Sequence, residues 1–116
     1  MRILDVEQVA PREAYGLTDH LVPGEAVSAA FVSSTGAVLF TDRRIVIVAR
    51  EHLLEARVET SSYPYREMRH FALIEGAEGF LQLRIWIGDE DHPLHLRARP
   101  GADLRALQQL LAEKLA

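Results

Sequence analysis

Apolar residues recur at every second position through most of residues 26–99, and at helical spacing clearly only once, near the end of the chain. Successive side chains of a strand point to opposite faces, while a helix returns to the same face after three or four residues. That contrast predicts a run of short strands closed by one helix. Val27, Ala29 and Phe31 alternate with Ala26, Ser28 and Ala30 up to the polar turn Ser33-Ser34-Thr35-Gly36. Ala37 to Phe40 forms a second strand, and Thr41-Asp42-Arg43-Arg44 turns it back into the β-branched run Ile45 to Ala49. A fourth strand, Leu54 to Thr60, is expected to put Leu54, Ala56 and Val58 inward, before Pro64, which cannot donate a ladder hydrogen bond, breaks the pairing.

The remaining strands are expected at about Arg69 to Glu75, at Leu81 to Ile87 and around Leu94 and Leu96. Leu81, Leu83, Ile85 and Ile87 give the clearest alternation in the chain. Pro100-Gly101 stops the last strand. Residues 103–115 then carry Leu104, Leu107, Leu111 and Leu115 on one helical face, with Asp103 and Lys114 placed to suit the helix dipole. Residues 1–22 are expected to form a helical lead-in, with Asp5 and Gln8 as a capping pair and Pro11 in the first turn of a new helix.

At 116 residues the chain suits one domain with its own core. A net charge of −4 argues against bulk attraction to nucleic acid or anionic lipid. Cysteine is absent, which excludes disulfides, a thiolate nucleophile and a cysteine zinc site. The opening residues turn acidic at Asp5 before a signal-like apolar run develops, and no apolar stretch approaches the ~20 residues that span a bilayer. A cytoplasmic protein is the expectation.

Three motifs, in order, resemble those of the bacterial pleckstrin-homology domain. Gly24-Glu25 precedes the first predicted strand, Phe40-Thr41-Asp42-Arg43-Arg44-Ile45 spans a hairpin, and Pro64-Tyr65-Arg66-Glu67-Met68 leads into a strand carrying Phe71. The resemblance covers about residues 20–116. It implies a mainly β fold, a seven-stranded, partly open barrel or sandwich over residues 26–99, with the C-terminal α-helix at 103–115 plugging one end. It also implies a tendency to form ring-like homo-oligomers, with no common ligand. Pleckstrin-homology domains that bind phosphoinositides flank their first strand loop with Lys and Arg. Here no cation lies between Glu25 and Asp42, so that use of the loop is not expected.

Two surfaces emerge as candidates. The first three predicted strands are apolar on both faces, and such a sheet needs a second cover. Residues 4–21, the closing helix or a second copy of the chain could supply it. Val38, Phe40, Val46 and Val48 are taken as the candidate face for self-association. On the last hairpin, a turn closed between Gly88 and Asp91 sets Arg84 opposite His95 and Gln82 opposite Arg97. Arg84, Trp86, His95, Arg97 and Arg99 then share a face with the composition of an interaction hot spot. The bland alternative is a solvated basic face with Trp86 covered by a loop.

No metal or other cofactor site is expected. His92 and His95 stand three apart on a strand and face opposite sides, and Asp89-Glu90-Asp91 lacks the Gly and closing Glu of a calcium loop. No nucleophile elbow, phosphate loop or paired-histidine metal motif is present, so no catalytic residue is assigned. The expectation is a non-enzymatic module that assembles with itself and recruits a protein partner. A peripheral membrane adaptor using Arg84, Arg97 and Arg99 is the alternative.

Overall fold

The structure, a computed structural model, describes residues 3–10, 21–34, 36–51, 57–88, 93–98 and 102–115. Among the described residues eight strands form one curled sheet: β1 (Ile3–Val9), β2 (Val27–Ser33), β3 (Gly36–Thr41), β4 (Arg44–Glu51), β5 (Arg57–Pro64), β6 (Met68–Glu75), β7 (Leu81–Ile87) and β8 (Leu94–Ala98). Their order across the sheet is β5-β4-β3-β2-β1-β8-β7-β6. The two edge strands are consecutive in sequence, joined by the short 3₁₀ turn Tyr65–Glu67, so the sheet curls until its edges meet at that turn. Among the described residues one α-helix, α1 (Leu104–Leu115), packs against β6 and the same turn.

The eighth strand is β1, and it corrects the expected helical lead-in: the first described residues are extended, and 11–20 lie outside the described residues. Local capping signals lose here to tertiary pairing. Ile3 to Val6 pair with β8 in parallel, opposite His95 to Ala98. Glu7 to Val9 pair with β2 antiparallel, opposite Val32 to Ala30. Gln8 caps no helix at Asp5. Its Oε1 instead accepts the Asp103 amide at 2.6 Å, just ahead of α1.

Alternation sorts the apolar residues onto two faces. Phe31, Val38, Phe40, Ile45, Leu83, Ile85, Leu94 and Leu96 fill the inner core, which α1 completes with Leu104, Leu107 and Leu111. Each such side chain contributes on the order of 2 kcal/mol by leaving water. Leu115 departs from the expected stripe and stays exposed, as the helix end passes beyond the core. Asp103 caps α1, its Oδ1 accepting the Ala106 amide at 3.0 Å.

Ala30, Ala37, Leu39, Val46 and Val48 form a second cluster on the outer face of β2–β4. Val9, Leu21, Val27 and Val32 pack on it, and Leu39 and Val46 are fully buried within the single chain. Of the covers open to the sequence, the chain's own N-terminal side supplies at least part. Val38 and Phe40 do not share this face. They lie opposite Ile47 and Ile45 in the inner core, whereas Val46 and Val48 lie opposite Leu39 and Ala37 in the outer cluster. The four residues taken as one self-association face therefore lie on both sides of the sheet, and all are buried.

Among the described residues β5 begins at Arg57, and Val58 is 62% exposed, contrary to its expected inward orientation. Its partner is Arg50, beyond Val48 and so past the outer cluster. Leu54 and Ala56 lie outside the described residues. No helix among the described residues is long and apolar enough to cross a membrane.

Candidate functional site

The three motifs converge at one end of β2–β4. Thr41, fully buried, donates its hydroxyl to Glu25 Oε2 at 2.6 Å and accepts the amides of Arg43 and Arg44 at 3.1 and 3.0 Å. Glu25 accepts both Nε and Nη2 of Arg44 at 2.9 Å, its own side chain being fully shielded. Arg44 also reaches Ser62 Oγ at 2.8 Å, tying in β5. Arg44, followed by Thr41 and the Val22 amide, holds the Glu25 carboxyl down at about 2, although burial opposes the shift. Tyr65 donates its hydroxyl to the Thr41 carbonyl at 2.6 Å. Burial, reinforced by Asp42 and Glu25, keeps that phenol protonated above its usual range. Lys114 of α1 bonds the Asp42 carbonyl at 3.0 Å and lies over the Tyr65 ring. Every strong donor and acceptor named here is spent on another part of the chain, so this end is a structural latch.

The outer face of β6–β8 is different. The register sets Gln82 opposite Arg97 and Arg84 opposite His95, as the sequence suggests. Two-residue steps along β7 bring Trp86 to the same face, and β6 adds His70 opposite Trp86, Ala72 opposite Arg84 and Ile74 opposite Gln82. Trp86 is half-buried because the His70 imidazole stacks on it, ring centroids 4.1 Å apart and planes 18° from parallel. His95 Nε2 donates to Gln82 Oε1 at 2.6 Å. Of the five residues expected here, Arg84, Trp86, His95 and Arg97 are brought together, while Arg99 lies outside the described residues. None of the eight outward positions on these strands carries a carboxylate.

His70 could not be found from alternation, because a register shift between Met68 and His70 resets the pattern of β6. A second feature was also hidden. A cleft of about 770 Å³ opens where β1 passes from β8 to β2. Val32, Ser33 and Ser34 line one side; Val6, Phe80, Leu81 and Ala98 supply further apolar wall. Glu7, Gln82 and Arg97 give it polar groups, and the last two belong also to the Trp86 face. The loop before β7 fixes Phe80: its carbonyl accepts the Gly76 amide at 2.9 Å, and Glu78 and Gly79 take left-handed backbone angles. Phe80 remains 48% exposed at the cleft.

Among the described residues no group of three His, Asp or Glu side chains could hold a metal ion. Asp89, Glu90, Asp91 and His92 lie outside them. The latch and the cleft sit at opposite ends of β2, near Val27 and Ser33.

Comparison with known proteins gives a consistent answer. The family described as "Bacterial PH domain" matches residues 3–115. Over 76 residues the chain is 33% identical to the uncharacterized protein YjqA of Bacillus subtilis (strain 168), covering 63% of this chain and 60% of YjqA. The chain thus spans under two thirds of that relative's length. A DUF1696 family protein with a pleckstrin-homology domain from Shewanella loihica PV-4 aligns with a TM-score of 0.76 at 21% identity, over 94% of this chain and 96% of that one. A pleckstrin homology domain from Shewanella amazonensis SB2B gives 0.66 at 22% identity, over 90% and 96%. A PH-domain-containing protein from Exiguobacterium sibiricum 255-15 gives 0.69 at 18%, over 98% of this chain and 61% of that one. At such identities these structures share the fold.

Proposed function

The chain belongs to the bacterial PH domain family, and we propose that it is a non-catalytic cytoplasmic docking module that holds a protein partner against the outer face of β6–β8. One observation carries this reading: Trp86 is only partly buried, stacked on His70, and framed by Arg84, His95 and Arg97. Trp and Arg concentrate binding energy in protein interfaces. A ring already held by a stacked neighbour has little freedom left to lose on binding, which favours affinity. The latch is committed to the fold, and the apolar residues Val46 and Val48 are covered within the chain. A second copy of the chain, as partner, would therefore meet this same face.

Site-specific photo-crosslinking in cells tests the proposal. A benzophenone side chain replaces Ala72, which lies opposite Arg84 on the same face, in one variant and Gln109, exposed on α1, in the other. A discrete protein adduct from position 72 alone is the expected result, and its mass separates a second copy from a different partner. Equal adducts at both positions, or none, overturn it. Co-sedimentation with anionic vesicles in place of an adduct would transfer the face to the membrane reading through Arg84, Arg97 and Arg99.

A further inference from the structure

β1 leaves β8 after Val6 and meets β2 at Glu7, and the cleft lies in that fork. Leu81, Ala98 and Val6 stand in one row across β7, β8 and β1 and give it an apolar base. Val32 and the Phe80 ring add apolar wall. The loop that carries Phe80 bends through Glu78 at φ 60°, a left-handed angle that a residue with a Cβ rarely adopts. The bend leaves the ring at the cleft, 48% exposed, and not in the core. The fold thus keeps a large apolar side chain in water beside an apolar recess.

Among the described residues two charged side chains line this cleft, and they differ in what surrounds them. Arg97 is already engaged within the chain, and the register of β1 with β8 sets Asp5 beside it. Glu7 is exposed, and among the described residues it has neither a hydrogen bond nor an ion pair. The uncompensated charge at the cleft is therefore negative, on a chain whose net charge is −4.

We propose that the cleft is a binding site, separate from the docking face, for a small amphipathic amine. Its apolar body lies against Phe80, Val32 and Leu81, and its ammonium group donates to the Glu7 carboxylate. Removing the body from water supplies most of the attraction. The charged hydrogen bond selects the sign of the ligand, since it is about twice as strong as a neutral one. An anion would meet Glu7 and an arginine that is already engaged. The volume of about 770 Å³ falls within the range of small-molecule sites.

Phenethylamine is the probe, with phenethyl alcohol and hydrocinnamate as the neutral and anionic forms of the same body. Each is titrated into the full chain at neutral pH, and backbone amide shifts report both the place and the affinity. Saturable shifts at Glu7, Val32 and Phe80 are expected, with the amine at least about tenfold tighter than the other two. Glu7→Gln should abolish that advantage and leave the affinity for the alcohol unchanged, whereas Phe80→Ala should weaken both. Both side chains are exposed, so neither change threatens the core. Equal affinity for amine and alcohol, an advantage that survives Glu7→Gln, or no saturable shift at the cleft overturns the proposal. Tightest binding by hydrocinnamate, lost in Arg97→Gln, makes the cleft an anion site and overturns it too. The peptide acetyl-Leu-Lys-Leu-amide carries the same ammonium on a protein side chain and should bind more weakly than phenethylamine. Tighter binding of the peptide would give the cleft to a lysine of a protein partner and overturn the small amine.

Discussion

Glu25 and Arg44 form a two-pronged ion pair across 19 positions of sequence, Oε2 to Nε and Oε1 to Nη2, both at 2.9 Å. It ties the segment ahead of β2 to the first residue of β4. Removing Arg44 strands a fully shielded carboxylate, whereas removing Glu25 leaves a guanidinium that is 24% exposed and still bonded to Ser62. Arg44→Met should lower stability by about 3 kcal/mol in urea unfolding, and Glu25→Gln by less. The double variant should lose clearly less than the sum, since each single change already breaks the same contact.

The same pair sets the acid limit of the fold. With its folded value near 2 against an ordinary 4.5, Glu25 contributes stability that is fully present above 4.5. That contribution fades as pH falls from 4.5 towards 2. Wild type and Glu25→Gln should therefore converge in melting temperature over this interval. Parallel curves would show that Glu25 does not titrate with folding.

Gly36 opens β3 against the backbone of β4. A Cβ there would lie 1.9 Å from the Val48 carbonyl oxygen, which no rotamer adjustment relieves. Gly36→Ala should cost about 3 kcal/mol in thermal unfolding by forcing the β3–β4 pairing apart. A variant as stable as wild type would mean that the hairpin tolerates a wider approach.

Val46 belongs to the cluster covered within the chain. Val46→Ala should lower stability by about 2 kcal/mol and leave the mass in solution, read by light scattering over a dilution series, unchanged. A shift in mass without loss of stability would place a neighbouring subunit on that face.

The stack of His70 on Trp86 is partly exposed, so it adds only about 1 kcal/mol to stability. His70→Ala should red-shift Trp86 emission by exposing the ring, with a melting temperature close to wild type. Unchanged emission would mean that His70 does not shield the indole.

Period-two runs such as Leu81 to Ile87 could be read directly, because a strand buried on one face prints its orientation into the sequence. The hairpin register that pairs Arg84 with His95 followed from the position of one turn. β1 could not be read this way. Val6 faces the inner core while Val9 joins the outer cluster, so its apolar spacing reports two different neighbours and resembles a helical repeat. The grouping of Val38 and Phe40 with Val46 and Val48 failed for a related reason. A strand apolar on both faces does not say which side of its neighbour each residue matches, and only the register across the hairpin decides it. The Trp86 face was legible in four of its residues, but His70 and Phe80 were not. A bulge hides the first, and a loop conformation sets the second.

β1 divides its pairing between the last strand of the chain and the first strand that follows it, and this bears on how the domain is made. Ile3 meets His95, a contact between residues roughly ninety positions apart. The hairpins of β2–β5 can form from local contacts as they are synthesised, but the first half of β1 has no partner until β8 exists. Sheet closure is therefore a late, single event. Until then a nascent chain carries an unpaired strand edge beside an unfilled core, the state in which a β domain is most exposed to aggregation.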